Sequence, residues 1–232
     1  MSVYRHMMAK IGGVLVLAMA LALVTATSTE AAQMLTLTSG LTSVTITDNG
    51  AGDVNPSVGA ITFIGSVGAF NALNVSTGVS KPILGSAANP FMDLNSVNIS
   101  SSGGGTLVID HFDDGFTGLT NFSMAIGGVA GLGGAGGALT YSAFFNQGAG
   151  NVLIDTLGPF SGAFSGTGGG GPTTLTPYSL TQRVTIVHGA GTVGTSFNAT
   201  LIPEPATLAL FGLGLIGVGF ATSRRRLNRA QN

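Results

Sequence analysis

Short runs of alternating apolar and polar residues, separated by glycine, asparagine and aspartate turns, set the limits on what this chain can fold into. Leu180, Val184 and Ile186 alternate with Thr181, Arg183 and Thr185, and Phe197, Ala199 and Leu201 alternate with Ser196, Asn198 and Thr200. A period of two puts one set inward and the other outward, which is the signature of a half-buried antiparallel strand. The two runs flank a loop at Gly189 to Gly194 and read as a hairpin. Further strands are expected at Ser43 to Thr47, Ala60 to Ile64, Ala69 to Val75, Leu94 to Ser100, Thr106 to Phe112, Asn121 to Ile126, Ala138 to Phe145 and Asn151 to Leu157. No long helical period interrupts them. About ten strands in one domain predict a mainly β protein, an antiparallel, jelly-roll-like β-sandwich.

The turn chemistry agrees. Asp48-Asn49-Gly50 and Asp113-Asp114-Gly115 carry Asn-Gly and Asp-Gly, the pairs that accept tight turns. The glycine-rich stretches Gly103 to Gly105, Gly127 to Gly137 and Gly168 to Gly171 are expected to be loops, because glycine loses the most entropy on ordering. The chain has no cysteine, so its core must hold it together without disulfides or thiolate metal sites. Eleven phenylalanines between residues 33 and 201 can help fill that core.

The two ends follow other rules. Arg5, His6 and Lys10 precede an apolar run from Ile11 to Val24 and then small residues, the pattern of a secretory signal peptide over residues 1–32 with cleavage between Ser28 and Ala32. At the other end Ile202-Pro203-Glu204-Pro205 leads into an uncharged run at residues 206–222, followed by a basic tail at 223–232 with Arg224, Arg225, Arg226 and Arg229. As a helix the run would be roughly 25 Å long, enough for a single C-terminal transmembrane helix with its arginines snorkelling. The positive-inside rule puts those arginines in the cytoplasm and residues 33–201 outside. Each proline holds the residue before it in extended geometry, a form that a processing enzyme can grip.

The tail resembles a PEP-CTERM sorting signal. The likeness rests on Pro203, Glu204 and Pro205, on a span containing Gly212, Gly214, Gly217 and Gly219, and on the closing arginines; Ile202 stands where many members have valine. It implies a partner, an exosortase-type membrane transpeptidase or protease that recognises residues 202–205, alongside the export machinery. It also implies a membrane-anchored precursor whose mature form is periplasmic, at the cell surface or extracellular. As with other removable tails, the processed protein would then have no transmembrane helix.

Between the ends, seven aspartates face only Lys81 and Arg183, a formal charge of −5. Nucleic acid is excluded as a partner, since a phosphate backbone calls for clustered cations. Catalytic patterns are lacking: no Gly-x-Ser-x-Gly elbow, no phosphate-binding Gly-x-x-x-x-Gly-Lys loop and no His-Glu-x-x-His pair occur, and only His111 and His188 lie in this region. Two acidic clusters are the candidate metal ligands. Asp110, Asp113 and Asp114 surround His111, and Asp48 and Asp53 bracket a Gly-rich turn; crowded carboxylates can bind Ca²⁺. Alternation places Asp110 and His111 on opposite faces, and the second loop lacks the closing glutamate of an EF-hand, so turns are the simpler reading of both. Sequons at Asn74, Asn98, Asn121 and Asn198 are candidate glycosylation sites, although a chain rich in Asn, Ser and Thr generates them by composition.

These observations favour a non-catalytic exported protein of the cell surface or of an extracellular polysaccharide matrix. The alternative is a carbohydrate-binding or hydrolytic sandwich that uses an Asp-rich, calcium-binding loop. It is opposed by the lack of tryptophan for sugar stacking and by the few titratable groups.

Overall fold

The computed structural model describes residues 33–204 other than 119–120, 149, 172–176 and 193, and the side chains at 72, 74 and 75 are likewise left aside. The expected signal peptide, apolar run and basic tail lie outside the described residues. The strands form two six-stranded antiparallel sheets and a small hairpin. In the first sheet the order is β11 (Asn151–Phe160), β10 (Gly137–Asn146), β13 (Tyr178–His188), β8 (Gly105–Phe116), β1 (Met34–Ser39) and β2 (Thr42–Thr47). In the second it is β12 (Gly162–Gly170), β9 (Phe122–Ala130), β14 (Thr195–Pro203), β7 (Met92–Ser101), β4 (Phe70–Val79) and β3 (Ala60–Val67). The hairpin pairs β5 (Gly85–Ser86) with β6 (Asn89–Pro90).

The predicted alternation drives the layering. Along β13 every second residue from Tyr178 to His188 is buried, and β8 does the same from Leu107 to Asp113. The inward sets of the two sheets form one core, with Leu35, Ile109, Tyr141, Val184 and Ile186 from the first and Phe70, Leu94, Phe122, Met124 and Leu201 from the second. Fully burying side chains of this size stabilises by about 1.5–3 kcal/mol each, which is how a cysteine-free chain holds its layers together. At one end Tyr178 packs against Phe145, Phe122 and Phe116 with ring centroids 4.7, 6.2 and 5.9 Å away.

The chain crosses between sheets repeatedly. β8 and β13 are neighbours in the first sheet, and their successors β9 and β14 are neighbours in the second. Two crossings therefore run side by side, the jelly-roll-like device expected from the sequence. It also corrects the expected hairpin: β13 and β14 do not pair, because β13 lies between β10 and β8 while β14 lies between β9 and β7. Alternation reports which face of a strand is buried and says nothing of its partner.

Three local expectations also change. Asp113-Asp114-Gly115 is no turn: β8 continues to Phe116, and Gly115, at φ +70°, sits in a bulge opposite Ser179. Gly168 to Gly170 belongs to β12, and Gly127 to Ala130 belongs to β9. Glycine is suitable in β12 because β11 leans over it: a Cβ at Gly166 would lie 2.7 Å from the Phe160 ring, and Asp155 accepts the Gly169 N–H at 3.0 Å. The Asn49-Gly50 turn does form, with Asn49 at φ +54°.

Inside the sandwich lies a chain of hydrogen-bonded polar side chains. Gln33 donates to His111 Nε2 at 2.7 Å and to the Gly78 carbonyl at 3.1 Å. On the other side of the ring, Nδ1 meets the Gln182 side-chain oxygen at 3.2 Å, and Gln182 donates to the Tyr141 hydroxyl at 2.8 Å. These partners fit a neutral ring protonated at Nδ1, and burial lowers the His111 pKa to about 4. Burial likewise raises that of Tyr141. The second histidine, His188, is also engaged, through Thr195 at 2.7 Å and Ser101 at 3.1 Å, and burial lowers its pKa. Both rings tie strands together.

Unfolded His111 takes up its proton near 6.5 and the folded ring only near 4, so between those values the unfolded state binds more protons. Stability should therefore fall as pH drops through that window, by roughly 3 kcal/mol from this group. His188 acts in the same sense, while Asp93 and Asp114, whose pKa values are raised, oppose it towards the acid end. Thermal melts at stepped pH should show the loss, and His111→Gln should flatten it. At Gly78 a Cβ would lie 2.7 Å from the His111 ring. Gly78→Ala should thus cost about 1–3 kcal/mol in denaturant melts by overpacking; an unchanged midpoint would show that the ring can move aside.

Candidate functional site

The proline-bracketed acid begins inside the fold. β14 is paired on both sides as far as Leu201, which faces Met92 of β7 and Met124 of β9. Beyond that point only β9 continues, with Ile202 opposite Ser123 and Pro203 opposite Phe122. A proline, which lacks an N–H, is tolerated where one neighbouring strand has ended. Glu204 is held twice by a single residue: its N–H donates to the Asn121 carbonyl at 2.8 Å, and its carboxylate oxygen Oε2 accepts from Asn121 Nδ2. Ile202, Pro203 and Glu204 are all half-buried. The domain boundary expected between Leu201 and Ile202 thus falls inside a strand. Pro205 and the arginines at 224, 225, 226 and 229 lie outside the described residues.

The acidic clusters are placed as follows. Asp110 projects outward and grips Arg183 with both oxygens, at 2.7 and 2.8 Å. This pairing raises the Arg183 pKa, and the guanidinium also lies 5.4 Å from the Phe144 ring centre. Asp113 points inward, fully buried, and accepts from Ser80 at 2.7 Å, Lys81 at 3.0 Å and the Asp114 N–H at 2.8 Å. His111 shares that inner face. Asp114 lies outside and borders an open groove of about 480 Å³ with Phe112, Asn146, Gln147 and Ser179. Its pKa is raised, first by burial and then by the neighbouring Asp113. The strand thus separates Asp110 and Asp114 from Asp113.

Asp48 and Asp53 are brought together, and their oxygens are used by the chain itself. Asp48 accepts the Gly59 N–H at 2.7 Å and the Asn49 side chain at 3.2 Å. Asp53 accepts the N–H groups of Asn55 and Thr62, each at 2.9 Å, and that of Asn49 at 3.0 Å. Side chains of this type characteristically fold a turn around themselves. Among the described residues no group of three or more His, Cys, Asp or Glu side chains is arranged to hold a metal.

The sequons differ in setting. Asn198 is exposed in the middle of β14, and Asn98 is exposed in β7 at φ +55°, its N–H donating to Ser196 Oγ at 3.0 Å. Asn121 is exposed and carries the contact to Glu204. Asn74 lies in β4, with its side chain outside the described set. Sequence reasoning singled out Asn121 as a sequon and as the start of an expected strand and missed its pairing with Glu204, since nothing local links residues 83 apart. It also missed the inward Gln182, whose place between Leu180 and Val184 on the buried face was the available sign.

No curated protein matches the chain. Among solved structures it overlaps TmCBM61, described in complex with beta-1,4-galactotriose, at 8% identity and a TM-score of 0.32 over 55% of this chain and 87% of that one. A carbohydrate-binding module from the β-sandwich superfamily overlaps at 12% identity and a TM-score of 0.33, over 69% of this chain and 66% of that one. A third overlap, with a structure of infectious bursal disease virus, has 10% identity and a TM-score of 0.26, over 77% and 53%. The fold rests on the chain's own strands rather than on these. Residues 201–226 match the family profile of the PEP-CTERM protein-sorting motif, and the chain is therefore one that carries a PEP-CTERM sorting signal, whose first residues complete β14.

Proposed function

We propose that this is a non-catalytic exported protein of the cell surface or extracellular matrix, delivered and processed through its C-terminal signal by an exosortase. The observation that carries this reading is the direct run from sandwich to sorting motif: β14 ends at Pro203, within the matched residues 201–226. The motif implies export, a C-terminal membrane-anchored signal and recognition by an exosortase in general. In this reading Glu204 is a substrate element of the signal, and the mature sandwich stands in the periplasm, at the surface or among extracellular polysaccharide.

A structural role is supported by how the described titratable groups are used, Asp114 at the edge of its groove excepted. Asp110 is paired with Arg183, Asp113 with Lys81 and Ser80, and Asp48, Asp53 and Asp155 cap backbone N–H groups. Both histidines are buried in hydrogen-bonded settings. General acid–base chemistry needs a positioned group that is free to exchange a proton with substrate. Calcium has no part in the proposal, because the carboxylates of Asp48 and Asp53 already accept hydrogen bonds from the surrounding turn.

Two experiments test this reading. With the cognate enzyme present, Glu204→Ala should leave full-length precursor in the membrane while the wild type is converted, as seen by intact mass; equal conversion would overturn the assignment. Excess Ca²⁺ or EDTA should leave the melting temperature unchanged, whereas a Ca²⁺-dependent rise would give the acidic turns a metal-binding role.

A further inference from the structure

We propose that the sandwich latches its own sorting motif, so that the processing enzyme acts on chains in which Ile202 to Glu204 have peeled away from β9. The inference rests on the reading that this tail is processed, and it adds where that step is controlled. A protease or transpeptidase binds its substrate as an extended strand, pairing with the backbone and reading side chains in pockets. Here those groups are already engaged. Ile202 and Pro203 are in register with Ser123 and Phe122, and the Glu204 N–H and carboxylate both go to Asn121. The enzyme cannot read the glutamate without displacing the Asn121 amide.

The anchor side of the latch is fixed and the motif side is weakly held. Phe122 is fully buried and packs edge-on against Tyr178, so the start of β9 is part of the core. On the motif side, pairing with β7 stops at Leu201, which leaves the next residues bonded along one edge only. Strand ends with few partners open locally at far lower cost than the whole domain unfolds. The latch can therefore release without unfolding the sandwich. Asn121 acts on processing through Glu204, as a positioning residue.

The test uses the full-length chain in cells that contain the enzyme, with conversion of precursor followed by pulse-chase. Asn121→Ala removes the side-chain donor, and Asn121→Asp sets a like charge against Glu204. An exposed hydrogen bond of this kind is worth about 2- to 10-fold in the opening equilibrium, so Asn121→Ala should be processed faster by that factor and Asn121→Asp by at least as much. Asn198→Ala, exposed in β14 but away from the latch, should keep the wild-type rate. Because the chain has no cysteine, the pair Ser123→Cys and Ile202→Cys can lock the end without competing disulfides. The double variant should remain precursor while oxidised and be converted once a reductant is added, so that each sample is its own control for the change at Ile202. Unchanged rates for Asn121→Ala, Asn121→Asp and the oxidised double variant, with the wild type converted, would overturn the latch alone. Failure of the wild type to convert would overturn the proposed function and the latch with it.

Discussion

The last strand of the sandwich lies in the middle of a sheet, and the other features depend on that. β14 is hydrogen-bonded to β9 on one side and β7 on the other, so without it the second sheet would be two unconnected halves. Its inward residues Phe197, Ala199 and Leu201 are buried in the shared core. The sheet is completed only when the chain is in place up to the residues that adjoin the sorting motif. The signal is thus continuous with a strand whose loss would open the core to water.

The interior explains how a chain with so few charges satisfies its polar groups. Its sheets are held by burial of large apolar side chains, and the polar atoms between them are linked in series from Gln33 through His111 and Gln182 to Tyr141. An unpaired polar group in such a layer costs about 1–3 kcal/mol. Among the described residues the Gln33 side-chain oxygen is the buried side-chain atom left without a partner. The two cations of the domain, Lys81 and Arg183, each meet an aspartate and an aromatic ring. This economy ties the acidic clusters to the structure.

Much of the fold was legible because period-two alternation reports burial directly: the positions read as inward at Leu180, Val184, Ile186, Phe197, Ala199 and Leu201 are buried. What alternation cannot report is pairing, so β13 and β14 were expected to form a hairpin and instead cross between sheets. β12 was hidden because its glycines, which look like loop residues, leave room for Phe160. β1 escaped although Leu35 and Leu37 alternate with threonines, lying close to the expected leader. The sorting motif was legible from its order of prolines, acid, span and arginines. Its partner Asn121 was not, since that contact is made only by the folded register of β9 against β14.

The start of the signal is part of the folded domain. Native-state hydrogen exchange at the Glu204 amide, which donates to the Asn121 carbonyl, tests it most directly. This amide should be protected relative to a free peptide and exchange through a local opening, ahead of the strand interior at Ala199. Exchange of Glu204 at the free-peptide rate, with Ala199 still protected, would contradict it.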